Sequence, residues 1–479
     1  MNLPISPRNS FLSSLLKRSA TYLKMSGVTI LILLLLIPLG MIHSVLWERL
    51  ERRNAAVEEM TSTWGREQNI IGPVLIVPYR YSFKSWKEKP TADGKLEKVE
   101  VVETAVARAY FLPTTLAING DIQPTRLRRG IYQAVVYAGT LELAGQFARP
   151  NFAGWKIEEP NILWNDAVVA FAIPDLRGVK ETLQLRWGES LLPLSPGSKL
   201  KGFSTGMFAN VGNLPEHNAT IPFKLNLTLN GSGGIHFAPV GDQNSVKLSS
   251  PWPDPSFRGA FLPSERTVTA EGFTANWQLS YYGRDYSQQW TDLDESAGLN
   301  STSATNSLFG VNFLAGIDAY RNVERAIKYG LLFFVLVFVA FFLFEILSAL
   351  RIHPFQYALV GAALCLFYLG LLSLSEFIAF SLSYLTAATA TTLLIWFYCA
   401  KVLKSGARTF IIVGLLAAIY GFLYIALQLQ DYSLLFGTAG LFVVLGIVFS
   451  VTRNIDWYAR DQSQTLASTT TNFTKEGDL

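Results

Sequence analysis

Two hydrophobic patterns divide the chain. Near the N-terminus and from residue 329 onward, apolar residues run almost unbroken; between these regions, apolar and polar residues alternate in short stretches. Gly27–Leu46 (GVTILILLLLIPLGMIHSVL) is the first unbroken run. Tyr329–Leu350 is the second, 22 residues with one charge, Glu345. At about 1.5 Å rise per residue it reaches roughly 33 Å, enough for a hydrocarbon core of about 30 Å. Arg351, His353 and Pro354 interrupt it. Gln356–Ser375, Phe377–Ala400, Thr409–Leu429 and Leu434–Thr452 then follow as further apolar runs. The pattern predicts a bundle of six transmembrane helices.

A cleaved signal peptide is the competing reading of the first run. The run is too long for one, and Ser44-Val45-Leu46-Trp47 has no small-x-small cleavage site. An uncleaved span with a kink at Pro38 is expected instead. Trp47–Trp64 continues as a charged helix, with Leu46, Leu50, Val57, Met60 and Trp64 forming a narrow apolar stripe. That stripe is expected to pack on the next domain.

From residue 70 to 320 the period changes to two. Ile221, Phe223, Leu225, Leu227 and Leu229 alternate with Pro222, Lys224, Asn226 and Thr228, and Asn230-Gly231 reads as the turn that follows. Shorter strands are expected at Val74–Tyr79, Val99–Phe111, Leu116–Ile118, Tyr132–Tyr137, Leu141–Leu143, Val168–Ile173, Leu183–Trp187, Val246–Leu248 and Trp277–Tyr282. Lys84–Lys98 reads as a charged hairpin or loop and Thr291–Ser307 as a polar loop. Many short strands separated by turns predict a large all-β, sandwich-like domain. It occupies residues 47–328, with the helix at 47–64 and the β-rich part at 70–320, between the first and second membrane helices. The spans at 329–350, 356–375, 377–400, 409–429 and 434–452 complete the bundle.

Charge placement then suggests an orientation. Residues 1–26 carry Arg8, Lys17, Arg18 and Lys24 and no acid. Arg351, the group Lys401, Lys404 and Arg408, and Arg453 fall on the same side of the expected bundle; Glu376 and Asp431 fall on the other. The positive-inside rule places residues 1–26 and the tail 453–479 in the cytoplasm and the β domain in the periplasm. Arg321, Arg325 and Lys328 run against the rule, which is weak beside a long translocated domain. Composition agrees with membrane: 16% of residues are charged, against about 25% in soluble domains. The net charge of +4 is too small to argue for nucleic acid. Both cysteines, Cys365 and Cys399, lie in apolar runs, so no disulfide framework is expected.

Candidate chemistry is sparse. Gly202-Phe203-Ser204-Thr205-Gly206 matches G-x-S-x-G, but a nucleophile elbow needs a strand before it and a helix after it. The polar stretch Pro196–Lys201 precedes it, which favours a turn. His217 and His236 are the histidines of the β region, and neither has a second ligand at zinc-like spacing. Glu345 would cost about 2.5–3.5 kcal/mol unpaired near the bilayer centre. It reads as a boundary residue that snorkels or pairs with Arg351, Lys401 or Arg453, the last being the partner expected here. Small residues line span four from Ser381 to Thr392, and Gly414, Ala418 and Gly421 mark one face of span five. Close helix packing is the expected use of both.

Longer motifs add a resemblance. In the membrane part they are Ala340–Glu345 (AFFLFE), His353–Gln356 (HPFQ) with Tyr357, Phe367-Tyr368, Leu371–Glu376 (LLSLSE) and Thr452–Tyr458 (TRNIDWY). In the β region they are Gly72-Pro73, Arg129–Tyr132, Asp175 with Arg177-Gly178, Trp252–Pro263 (WPDPSFRGAFLP) and Gly272–Gln278 (GFTANWQ). With these, the chain resembles the CreD family of inner-membrane proteins of Gram-negative bacteria. Phe377 departs from the family pattern, which usually shows a histidine there. The resemblance implies an envelope-integrity protein tied to a stress or nutrient response. It implies no known enzymatic activity.

The residues and the resemblance lead to one expectation: an inner-membrane protein whose periplasmic β domain binds an envelope polymer or partner protein. Its other contact is the lipid bilayer, and no nucleic acid, cofactor, metal or catalytic residue is expected. A six-span transporter and an envelope-polymer hydrolase are the alternatives. The first would rest on Glu345 and the second on Ser204.

Overall fold

The computed structural model describes residues 8–90, 96–179, 181–212, 220–294, 298–313, 319–348, 352–403, 405–429 and 432–453. The chain divides into two compact units, one of Met1–Arg52 with Ile317–Leu479 and one of Arg53–Gly316. Helix α1, Arg8–Trp64, runs through Pro38, and its residues from Arg53 onward belong to the second unit.

The second unit is β-rich. Its strands are β1 (Gln68–Pro90), β2 (Leu96–Phe111), β3 (Thr115–Arg129), β4 (Tyr132–Phe147), β5 (Val168–Ala172), β6 (Gln184–Trp187), β7 (Ser190–Pro193), β8 (Ser195–Pro196) and β9 (Gly206–Asn210). After these come β10 (Ile221–Ser232), β11 (Gly234–Phe237), β12 (Gln243–Ser250), β13 (Pro255–Gly259), β14 (Glu265–Thr269), β15 (Gly272–Ser280), β16 (Gln289–Thr291) and β17 (Phe309–Phe313). One sheet runs β13-β17-β11-β1-β5-β9-β8, with β2 and β16 extending from β1; the other runs β14-β15-β12-β3-β4-β10-β6-β7. Their inner faces meet in one core. Trp277 of β15 lies 5.9 Å from the Phe257 ring of β13 and 5.8 Å from the Phe309 ring of β17. Tyr137 of β4 lies 5.3 Å from Phe313 of β17.

Period two places β10 as the alternation demands. Its five apolar residues are buried and its first three polar ones exposed, and it pairs with β4 along its whole length. The expected turn at Asn230-Gly231 is absent, because the strand continues to Ser232. A side chain on Gly231 would stand 2.3 Å from the Tyr137 hydroxyl, so this glycine makes room for a ring. The turn comes at Gly233, whose φ of 72° favours glycine. The expected strands Tyr132–Tyr137 and Leu141–Leu143 are one strand, β4.

Of the two alternatives for Lys84–Lys98 the hairpin is found, and part of the expected polar loop Thr291–Ser307 is helical. The charged stretch from Lys84 belongs to a long ribbon in which β1 and β2 pair from Leu75–Phe111 to Pro90–Leu96. Its charges meet across the strands, Lys84 to Glu100 at 2.8 Å and Lys87 to Glu103 at 2.9 Å. Within Thr291–Ser307, Ser301–Ser307 forms the short helix α2. Asn300 accepts from Ser303 N and donates its own N–H to the Ser303 hydroxyl, a reciprocal cap that starts the helix.

The motif Asp175-x-Arg177-Gly178 has a structural purpose. Buried Asp175 accepts from Arg66 N, Arg177 N and the Arg177 guanidinium. A side chain on Gly178 would sit 2.2 Å from Asn230 O, so only glycine fits against β10. The Arg177 guanidinium, followed by the two backbone N–H donors, holds the Asp175 carboxyl below its usual 3.8. A lowered carboxyl contributes stability above the ordinary value, and that contribution is lost as pH falls through the lowered one. The stability gap between wild type and Asp175→Asn, followed by far-ultraviolet circular dichroism, should therefore narrow below pH about 4. A gap that stays constant into acid would remove Asp175 as the titrating group.

The other unit is helical. Helix α3 (Ala319–Lys328) meets α4 (Gly330–Leu347) at a 50° bend. Then follow α5 (Pro354–Ser375), α6 (Phe380–Leu403), α7 (Gly406–Gln428) and α8 (Ser433–Thr452). Among the described residues, five helices are long and apolar enough to cross a membrane, or six if the bent pair counts as one span. The HPFQ motif builds the start of α5. His353 Nδ1 accepts from Phe355 N at 3.2 Å, Gln356 Oε1 accepts from His353 N at 3.2 Å, and Pro354 fills the first turn where no N–H is needed.

Large side chains fill this unit. Phe333, Phe367, Tyr368, Tyr384 and Tyr420 form one aromatic cluster with ring separations from 4.8 to 6.4 Å. The Gly414–Gly421 face of α7 does not join it, contrary to the packing expected. Those residues are exposed, and a side chain at Gly414 or Gly421 would meet nothing within 4 Å. Ile412, Leu416, Tyr420 and Leu423 face inward instead, because bulky residues bury more apolar surface there.

Candidate functional site

An open cleft of about 580 Å³ lies in the β-rich unit, lined by Arg108, Tyr110, Ser198, Lys199, Leu200, Lys201, Phe203, Ser204 and Asp292. One wall is β2 and the residue after β16. There Asp292 accepts from Arg108 N at 3.1 Å and from the Tyr110 hydroxyl at 2.8 Å, and Asp292 N donates to Arg108 O at 2.9 Å. The Tyr110 ring stacks on Trp290 at 5.1 Å. Burial, followed by the Asp292 bond, pushes the Tyr110 phenol above its ordinary range, so it stays a donor at neutral pH.

The other wall is the loop from Gly197 to Gly206. Buried Ser198 donates its hydroxyl to Phe203 O, and Phe203 N donates to Leu200 O at 3.3 Å. Gly197 N donates to Gly206 O at 2.8 Å, and the Thr205 hydroxyl donates to Pro174 O at 3.0 Å. Lys199 takes φ 55°, the left-handed region uncommon for a residue with a side chain. Its Nζ sits 4.6 Å above the Phe208 ring.

The G-x-S-x-G stretch lies within this loop. Ser204 is exposed in a turn, and strand β9, not a helix, follows it. Among the described residues, no histidine lines the cleft. His217 lies outside the described residues. His236 lies on β11, where its Nδ1 is 3.1 Å from Glu67 Oε1. That hydrogen bond holds the Glu67 carboxyl below its ordinary value. Nearby on the same sheet, Arg258 Nε reaches the Ser256 hydroxyl at 3.4 Å. The histidine–carboxylate pair was not legible in the sequence, since Glu67 and His236 are far apart along the chain and meet only through the parallel β1–β11 register. Among the described residues, no three His, Cys, Asp or Glu side chains gather as metal ligands.

In the helical unit, Glu345 is 6% exposed. It accepts from the Tyr357 hydroxyl at 2.8 Å and from Ile352 N at 3.1 Å, which ties the end of α4 to α5. Arg453, the partner expected for it, is exposed instead. The tyrosine lies one turn into α5, within hydrogen-bond reach of the carboxylate, and Arg351, another expected partner, lies outside the described residues. Glu376 at the end of α5 accepts from the Tyr320 hydroxyl at 3.2 Å and lies 3.7 Å from Arg49 Nε. Phe377 is 73% exposed.

Comparisons with known proteins agree with the motifs. Among solved structures, an M1 zinc metallopeptidase from Deinococcus radiodurans, a mutant with a bound Tyr-Ser-Ala substrate, superposes with a TM-score of 0.21 at 8% identity, over 42% of each chain. A second structure of that peptidase gives 0.18 at 8% identity, over 35% of this chain and 38% of that one. Overlaps this poor carry nothing about fold or activity. Among curated proteins, the inner membrane protein CreD of Escherichia coli (strain K12) is 29% identical over 442 residues, which is 92% of this chain and 95% of that protein. The description of the family, Inner membrane protein CreD, matches residues 20–458. With every quoted motif inside that match, the chain belongs to the CreD family of inner membrane proteins.

Proposed function

We propose that this protein acts by binding and not by catalysis: a multi-pass inner-membrane anchor presents the β-rich unit in the periplasm, where it engages an envelope component or partner protein. The cleft carries the reading. It offers cationic and hydrogen-bonding side chains around a cavity of about 580 Å³, within the size range of small-ligand sites. A hydrolase needs a nucleophile and a base within hydrogen-bond reach. Ser204 lines the cleft, while His236 is engaged with Glu67 on another strand. Transport through the helical unit would draw on Glu345, which is tied to Tyr357 and Ile352. The N- and C-termini are proposed to be cytoplasmic, on the alternation of basic loops.

Alanine at His217 and His236, singly and together, should leave the envelope phenotype unchanged while the protein accumulates. Removing residues 69–313 and rejoining the helices should reproduce the phenotype of the null strain. A stable, inserted alanine variant at either histidine that behaves as the null would replace binding with an enzyme. Reporter fusions at Lys87, Ser405 and Thr470 should read outside, inside and inside; any other pattern contradicts the proposed topology.

A further inference from the structure

We infer that the cleft of the β-rich unit is a site for a phosphate ester, held through Arg108 and Lys199. This rests on the binding reading above and names the chemistry of its ligand. The lining carries three cationic side chains, Arg108, Lys199 and Lys201, against one carboxylate, Asp292. Both oxygens of that carboxylate already accept hydrogen bonds from the wall, one from Tyr110 and one from Arg108 N. Asp292 thereby fixes the wall, while the exposed Arg108 side chain remains at the cleft surface. A guanidinium presents a planar fork of donors and an ammonium a compact point charge, the two modes by which proteins hold phosphate.

The loop bearing the lysines is shaped before any ligand arrives. Gly197 at φ 122° and Gly202 at φ 86° bracket it, and Lys199 itself sits at φ 55°. The Ser198 hydroxyl, Gly197 N and the Thr205 hydroxyl pin it to Phe203, Gly206 and Pro174. A left-handed lysine costs conformational energy, and such strain persists where the surroundings over-determine it. Pinning also means that little loop ordering remains to oppose binding. The cavity exceeds a bare phosphate, and Leu200, Phe203 and Tyr110 give it apolar lining. The ligand is therefore a phosphate carrying an organic body. A soluble phosphate ester and a phospholipid headgroup share that chemistry.

The test uses the full-length protein in dodecyl maltoside, a phosphate-free detergent. Glycerol phosphate, inorganic phosphate and mixed micelles containing phosphatidylglycerol are titrated separately, with binding read by calorimetry. Glycerol phosphate is expected to bind, and inorganic phosphate more weakly. Arg108→Gln and Lys199→Gln should each weaken binding about tenfold, the scale of one lost charged hydrogen bond. Lys199→Arg should restore most of it, and Lys247→Gln on exposed β12 surface should change nothing. Response only to the phosphatidylglycerol micelles, with the same variant losses, assigns the site to a lipid headgroup. The inference is overturned if no probe binds, or if both glutamine variants bind as wild type. Circular dichroism checks each variant, and if Arg108→Gln fails to fold, the two Lys199 variants decide. Loss of phosphate binding alone leaves the wider binding reading standing. An inactive alanine variant at either histidine that still binds phosphate would remove that reading and leave this site.

Discussion

Trp277→Ala is expected to lower the stability of the β-rich unit by about 3–5 kcal/mol, the usual cost of emptying a buried tryptophan site. The residue is 1% exposed on β15 and reaches across to Phe257 and Phe309 of the facing sheet. It therefore joins the two layers beside Phe273 of the same strand, whose ring also reaches Phe257. Its indole N–H donates to Phe261 O at 3.3 Å, and truncation leaves that carbonyl without this donor. Trp277→Phe keeps part of the ring contact and should lose less. The measurement is denaturant unfolding of the full chain in detergent, followed by β-sheet circular dichroism. A loss under about 1 kcal/mol, the range of ordinary substitutions, would mean that the sheets are held together elsewhere.

The second large effect is expected at the end of α4. Tyr357→Phe removes a 2.8 Å hydrogen bond to a buried carboxylate and should cost about 1.5–3 kcal/mol. Glu345→Gln weakens the same contact from the other side. Because both changes act on one bond, the double variant should lose less than the sum of the singles, with a coupling of about 0.5–3 kcal/mol. Glu345→Gln with Arg453→Gln should be additive, since Arg453 stands exposed. Thermal unfolding of the detergent-solubilised protein gives all of these values. Additivity between positions 345 and 357 would dissolve the proposed pair, and coupling between 345 and 453 would restore the partner that charge alone suggested.

The candidate cleft shows why function was less legible than fold. Ser204 was visible as a motif, and its poor context was visible too. Arg108 and Asp292 were not, because 184 positions of sequence separate the two residues that share a hydrogen bond. No local spacing records such a meeting. Lys199 gave no signal either, since its left-handed backbone is imposed by the Ser198 and Thr205 bonds around it. The same limit hid the Glu67–His236 pair, which depends on a parallel register between β1 and β11.

By itself, the sequence determined the two materials of this protein. Runs of about 20 apolar residues satisfy their backbone only as helices in lipid, so their period and length decide them locally. Alternation at Ile221–Leu229 decides a half-buried strand in the same local way. Tertiary structure decided what depends on contacts across the chain. It carried β10 through Asn230-Gly231, because Tyr137 fills the space a side chain would need. It chose the hairpin over the loop for the charged segment from Lys84 and set its register, in which Lys84 meets Glu100 and Lys87 meets Glu103. It turned the small face of α7 outward, because aromatic rings fill the bundle better. Local period reports which face of an element is apolar, whereas the partner that covers it is chosen by shape, charge and register among residues distant in sequence.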